Sequence, residues 1–229
     1  MQSEQKRIVV IGASRGIGAA VAQHFVQKGD YVLSVSRNQP IAGEWIQADI
    51  STPEGIKSVA DTIGGSRLDA LLFMGGVWED GAFTEQYNFM QSSDRETRYV
   101  IAVNTIAPIE LTKQLTQNLV KSDNPRAIFI GSLSGLDNSA SIEVANTASK
   151  FGLRGAAQAL KLALRDYKIG VTVINPDNVA TEEVVADIEE GRFSQQVPIP
   201  LADIISAIEW ILTLSKTVDI GEINMQQKS

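Results

Sequence analysis

The 229-residue chain contains no cysteine and a single histidine, His24. The missing cysteines exclude a disulfide framework, thiolate catalysis, iron–sulfur clusters and Cys-based zinc sites. One histidine excludes His-rich metal sites and argues against most Ser–His–Asp schemes; no metal site is expected. Positive charge is also scarce: 20 Lys and Arg stand against 27 Asp and Glu, a net charge of −7. Binding a phosphate backbone needs a basic surface, so nucleic acid is not an expected partner. No stretch approaches the roughly 18 apolar residues of a membrane helix. The opening segment 1–7 is polar and has no apolar signal core. Together these absences predict a soluble, cytoplasmic protein with no membrane partner.

What is present fits one α/β unit. A chain of this length buries enough surface to need no covalent staple. No internal repeat, low-complexity tract or linker breaks it, which predicts a single domain over 1–229. The run Arg7-Ile-Val-Val-Ile-Gly12 is continuously apolar, as a strand buried on both faces should be. Helical spacing follows over 17–28, with Gly29 placed to stop it. Further strands are expected at 31–36, 45–48, 68–74, 127–130, 170–174 and 220–225. Helices are expected from Thr52-Pro53 to about Ile63, over 94–120, over 144–167 and over 201–215. The segments 75–92 and 177–200 read as loops. The second is too long for an ordinary connection and predicts a lid or substrate loop. Alternating strands and helices predict a doubly wound parallel sheet of the Rossmann type.

The turn Gly12-Ala-Ser-Arg-Gly16-Ile-Gly18 joins the first strand to the first helix. Gly12 permits a tight exit from the strand, Gly16 lets backbone approach a phosphate, and Gly18 lets the helix pack on the strand. Free N–H groups at the helix start, backed by its dipole, suit an anion. Ser14, Arg15 and Ile17 complete this candidate cofactor loop. After the second strand, where NAD sites place an acid for the ribose hydroxyls, the chain reads Ser36-Arg37-Asn38. Arg37 is a planar donor suited to a 2′-phosphate, with Arg15 as a second. The expected cofactor is therefore NADP (NADPH).

The Gly-x-x-x-Gly-x-Gly spacing resembles that of the short-chain dehydrogenase/reductase family, and the resemblance extends over nearly the whole chain. It implies that Asp49-Ile50 holds the adenine, that Gly75 keeps a turn beside the cofactor, and that Pro176, Val179 and Thr181 meet the nicotinamide end. It implies a small-molecule carbonyl or alcohol substrate and a homodimer or homotetramer formed by pairing of the long helices. Its catalytic set of Asn, Ser, Tyr and Lys maps onto Asn104, Ser132, position 146 and Lys150. Pro108 cannot donate to the carbonyl of Asn104; a bend is expected there, and in the family that carbonyl holds a proton-relaying water. Ser134 is a local alternative to Ser132.

The chain departs from the family at the tyrosine. The segment reads Asn146-Thr-Ala-Ser-Lys150, with the Ala-Ser-Lys ending in register. Residues 146 and 150 share a helical face, but asparagine has no titratable proton near neutral pH. None of Tyr31, Tyr87, Tyr99 and Tyr167 is placed by sequence to substitute. Lost general-acid catalysis is worth roughly 10²–10⁴-fold, about 3–5 kcal/mol of barrier. A second departure is Phe73-Met74-Gly75-Gly76 where the family has Asn-Asn-Ala-Gly, which keeps the turn but removes the asparagine side chains, and a third is Asp177 in place of a glycine. The expectation is an NADP-dependent oxidoreductase with impaired carbonyl reduction. The alternatives are a non-catalytic NADP-binding sensor or scaffold, or an engineered Tyr→Asn version of an active reductase. His24 reads as a satisfied surface residue, and Glu79-Asp80, Glu182-Glu183 and Glu189-Glu190 read as solvated acids. Ala148, Gly152, Gly155 and Ala159 form a small-residue stripe suited to close packing.

Overall fold

The structure is a computed structural model that describes residues 5–193 and 196–228. Residues 1–4 of the polar start, and 194 and 195 of the expected substrate loop, lie outside it. Among the described residues the strands are β1 (Arg7–Ile11), β2 (Tyr31–Ser36), β3 (Glu44–Gln47), β4 (Ala70–Phe73), β5 (Arg126–Ile130), β6 (Gly170–Pro176) and β7 (Glu222–Met225). They pair in parallel throughout, in the order β3-β2-β1-β4-β5-β6-β7. The helices are α1 (Gly16–Gln27), α2 (Pro53–Ile63), α3 (Asp94–Ile101), α4 (Ala107–Leu119), α5 (Val144–Ala163), α6 (Glu182–Glu189) and α7 (Leu201–Thr213).

Side chains alternate across a strand, and here both faces of the sheet are covered. Val9, Ile11, Leu71, Phe73 and Phe129 pack with Ile56 of α2, Leu111 of α4 and Leu153 of α5. Ile8, Val10, Leu72 and Ile128 pack with Phe25 of α1 and Ile204 and Ile208 of α7. Two-sided burial is why β1, β4 and β5 read as unbroken apolar runs rather than as alternating ones. The result is a single Rossmann-type α/β domain, with α2, α4 and α5 on one face of the sheet and α1 and α7 on the other.

Two expectations need correction. The helix expected over 94–120 is three pieces: α3, a π-helical segment Ala102–Ile106, and α4. The Ala107 N–H reaches back to the Ala102 carbonyl, one residue further than in an α-helix. Pro108, which has no N–H to give the carbonyl of Asn104, follows immediately. The segment 177–200 is also not irregular throughout. Thr181 accepts a hydrogen bond from the Val184 N–H at 3.3 Å and starts α6, whose first turn carries Glu182 and Glu183. A bridge between Val179 and Ile199 closes the base of that excursion.

The chain order along the sheet reverses between β1 and β4. In an open α/β sheet, this switch point opens a crevice beyond the carboxyl ends of the strands.

Candidate active site

Gly12 leaves β1 and Gly75 follows β4, one on each side of that crevice. A Cβ on Gly12 would lie 2.6 Å from the Gly75 nitrogen, and Gly12 has a φ of +82°, so glycine is required there twice over. A Cβ on Gly18 would lie 2.7 Å from the Gly12 carbonyl carbon. Its absence lets the first turn of α1 press on the strand exit. Gly18 thus packs behind the turn, while Gly12, Ser14, Arg15, Gly16 and Ile17 line a cavity of about 320 Å³ above it. Side chains cap the N-termini of α2, α3 and α6, from Thr52, Ser93 and Thr181. No side chain caps α1, and its first turn holds no acid. Its leading N–H groups are those best suited to receive an anion.

Arg37, Asp49 and Ile50 line the same cavity from β2 and the segment after β3. A second recess adjoins it and shares Arg15, Arg37, Asp49, Val77, Trp78 and Tyr99, adding Arg95 and Glu96 among others. The Arg37 guanidinium stands 6.0 Å from the centre of the Tyr99 ring. Arg15 is mostly exposed and lies 3.5 Å from Glu183 of α6. Burial acts to raise the Asp49 carboxyl, but hydrogen bonds from the Ser51 hydroxyl and N–H, and the charge of Arg37, outweigh it and hold Asp49 below its ordinary value.

Lys150 and Asn146 line the cavity from α5, and Ser132 from the turn after β5. Lys150 is buried, and its ammonium donates to the Ile130 carbonyl at 3.4 Å. Burial brings its pKa down to about 8. Ser134 lies behind Ser132 and donates to the Ser132 hydroxyl at 3.0 Å, so of the two serines it is Ser132 that faces the cavity. Asn104 is buried beside the cavity rather than in its lining. Its Oδ1 accepts from the Val77 N–H at 2.9 Å, and its Nδ2 donates to the Val77 carbonyl at 2.7 Å and to Ser149 Oγ at 2.9 Å. The side chain therefore clamps the turn after β4. Ser149 continues the network to the Asn146 carbonyl at 2.7 Å. Gly75, Pro176, Val179 and Thr181 also line the cavity, and the Thr181 methyl lies opposite Gly16.

The reading of Glu79 as a solvated acid is overturned: it is 2% exposed. Its carboxylate accepts the N–H groups of Ala145 at 2.6 Å and Asn146 at 3.1 Å, capping α5. Glu143, also buried, accepts the Phe83 N–H at 2.8 Å, and Tyr87 accepts the Val144 N–H at 3.1 Å. These three side chains, with Trp78 and Phe83 in the cavity wall, were not identified from the sequence. For all but Glu143, the one signal was the number of aromatic and acidic residues within 77–89. His24 lies 3.2 Å from Glu209 of α7 and is not in the cavity lining. Gly152 packs against Thr105, so this part of the small-residue stripe serves contacts within the chain. Among the described residues, no cluster of three or more His, Cys, Asp or Glu is arranged to hold a metal ion. Nor is any helix among them long and apolar enough to cross a membrane.

A glycine turn under an uncapped helix at the switch point, with serine and lysine facing it from β5 and α5, defines the class as a Rossmann-type oxidoreductase. The family model for short chain dehydrogenase matches residues 6–191, and the chain belongs to that family. It is 27% identical over 212 residues to the 3-oxoacyl-[acyl-carrier-protein] reductase FabG of Salmonella typhimurium, covering 86% of this chain and 84% of that protein. Among solved structures it is similar to a 4-hydroxyisoleucine dehydrogenase complexed with NADH, at TM-score 0.80 and 25% identity, with 97% of each chain covered. It also shares its fold with ElxO with NADP bound, at TM-score 0.82 and 18% identity, again with 97% of each covered.

Proposed function

We propose that this protein is an NADP-dependent short-chain oxidoreductase whose carbonyl reduction is slowed by asparagine at position 146. The observation that carries the cofactor choice is the arginine-lined recess at the end of β2. Arg15 and Arg37, joined there by Arg95, surround the place where an NAD site would have an acid. In this reading the 2′-phosphate sits among these arginines, the α1 N–H groups hold the pyrophosphate, and Asp49 and Ile50 hold the adenine. Lys150 holds the ribose hydroxyls. Pro176, Val179 and Thr181, at the base of the 177–200 substrate loop, take the carboxamide. The glycines support the fit, because a side chain at Gly12 would collide with the Gly75 backbone and push apart the two turns that line the cavity. When bound, NADPH supplies the hydride that the carbonyl carbon accepts. Ser132 donates a hydrogen bond to the carbonyl oxygen, polarising it. The proton that completes the alcohol has to come from a donor other than Asn146, which has none to give. Asn104 positions the turn after β4 and, through Ser149, the start of α5. The exposed residues of the small-residue stripe, Ala148, Gly155 and Ala159, belong to the subunit contact of a dimer or tetramer.

The test pairs cofactor binding with turnover. NADPH is expected to bind at least tenfold more tightly than NADH, and Arg37→Asp to abolish that preference. Asn146→Tyr is expected to raise carbonyl reduction by about 10²–10⁴-fold. Robust reduction by the unaltered chain, unimproved by Asn146→Tyr, would refute the impaired-acid reading. NADPH binding with no turnover in either form would favour a cofactor-binding sensor instead. Failure to bind either nucleotide would refute the proposal.

A further inference from the structure

Beyond Ser132 and Lys150 the cavity runs between the segment after β4 and the segment around α6, and there its character changes. Trp78, Ala82 and Phe83 form one wall, and Val184 and Phe193 belong to the other. The three aromatic rings make a continuous row. Trp78 and Phe83 meet edge to face at 5.9 Å, with planes crossed at 67°. Phe83 meets Phe193 at 6.3 Å, crossed at 86°. Trp78 is 41% and Phe83 38% exposed, which is much apolar surface to leave open beside a polar site. Rings crossed in this way offer both edges and faces to a further ring placed among them.

This wall is built, not incidental. Its backbone is fixed at three points: Asn104 clamps Val77 through both its N–H and its carbonyl, Glu79 grips the start of α5, and Glu143 holds the Phe83 N–H. Phe83 itself has a φ of +64°, a backbone conformation unfavourable for a bulky aromatic side chain. A strained aromatic held by a buried carboxylate is the kind of outlier that marks a ligand site. The charges around it select further. Glu183 and Asp187 line the α6 side. The cation next to Phe193, Arg192, is engaged by Asp187 at 2.7 Å and also by Glu190. Glu183 is in turn 3.5 Å from Arg15, so both arginines on this side are already engaged, and a substrate carboxylate or phosphate here would have to compete with those ion pairs.

We propose that the substrate is an uncharged aromatic carbonyl compound whose ring packs among Trp78, Phe83 and Phe193. This deepens the oxidoreductase reading above and rests on it for the reaction, though not for the binding. Three ketones test it by saturation-transfer NMR, with and without saturating NADPH: acetophenone, cyclohexyl methyl ketone and 4-acetylbenzoate. Acetophenone is expected to bind about tenfold more tightly than its saturated counterpart, given that each aromatic pair adds a factor of a few. It should exceed 4-acetylbenzoate by at least as much. Trp78→Leu and Phe193→Leu keep an apolar side chain and so keep the fold, which a thermal melt verifies; each should remove most of the preference for the aromatic ring. Equal binding of the two uncharged ketones, tighter binding of 4-acetylbenzoate, or preferences unchanged in both variants would overturn the proposal. Ketone discrimination without NADPH binding would leave the substrate class standing and sink the cofactor reading. NADPH binding without discrimination would do the reverse.

Discussion

Lys150 should cost the folded protein stability near neutral pH, and the cost can be worked out. Burial lowers its pKa from an ordinary 10.5 to about 8. Each pH unit of such a difference is worth about 1.4 kcal/mol, so the protonated lysine is penalised by about 3 kcal/mol in the native state. The sign follows from proton counts. Between pH 8 and 10.5 the unfolded chain keeps a proton that the folded chain has released, so stability rises with pH. The penalty is complete below about pH 8 and gone above 10.5. Lys150→Met keeps the aliphatic body and removes the charge. At pH 7 this variant should resist urea better than the unaltered protein by about 3 kcal/mol; by pH 9.5 the advantage should shrink by about 2 kcal/mol. Urea unfolding of both proteins at the two pH values measures the difference, and other titrating groups cancel between them. Parallel stability curves across that range would refute the reasoning. On the proposed reading of the site, the variant should also lose cofactor affinity.

Other outcomes follow from the same contacts. Gly18→Ala should destabilise the protein by about 1–3 kcal/mol in urea unfolding, because its methyl would collide with the Gly12 carbonyl. Glu79→Gln should cost about 1–2 kcal/mol by removing the charge at the start of α5, again read by urea unfolding. Arg126 is buried and donates to the carbonyls of Val218 at 2.7 Å and Ser215 at 3.0 Å. Arg126→Met should therefore lower stability by about 2–4 kcal/mol, and proteolysis should find the segment around 214–219 first.

The sheet was largely legible because its strands are buried on both faces. Such strands carry apolar runs that tertiary context does not alter, and Arg7–Ile11 and Gly170–Pro176 are examples. The cavity residues that follow these strands were legible for the same reason, since their positions are fixed by strand ends. The π segment was not. Pro108 signals that a hydrogen bond is lost, but not that an extra residue enters the turn upstream. Helix α6 was missed although Thr181 followed by two acids is an N-terminal signal; the acids were read as solvated loop. Glu79 shows the harder limit. A charged residue in a polar loop reads as exposed, and only the placing of α5 against that loop buries it. Gly55 is of the same kind: a Cβ there would lie 2.6 Å from the Asp49 carbonyl carbon, a contact between segments that sequence spacing does not reveal.

The way α5 begins has a consequence for motion. Helices ordinarily fray from their first turn, where amide protons exchange freely with solvent. Here the amides of Val144, Ala145 and Asn146 are each held by a side chain from the segment after β4. That segment and the helix start therefore open together or not at all. Slow deuterium uptake should extend to the first residues of α5, and any substrate that displaces Trp78 and Phe83 should release those amides and shift Asn146 in the same event.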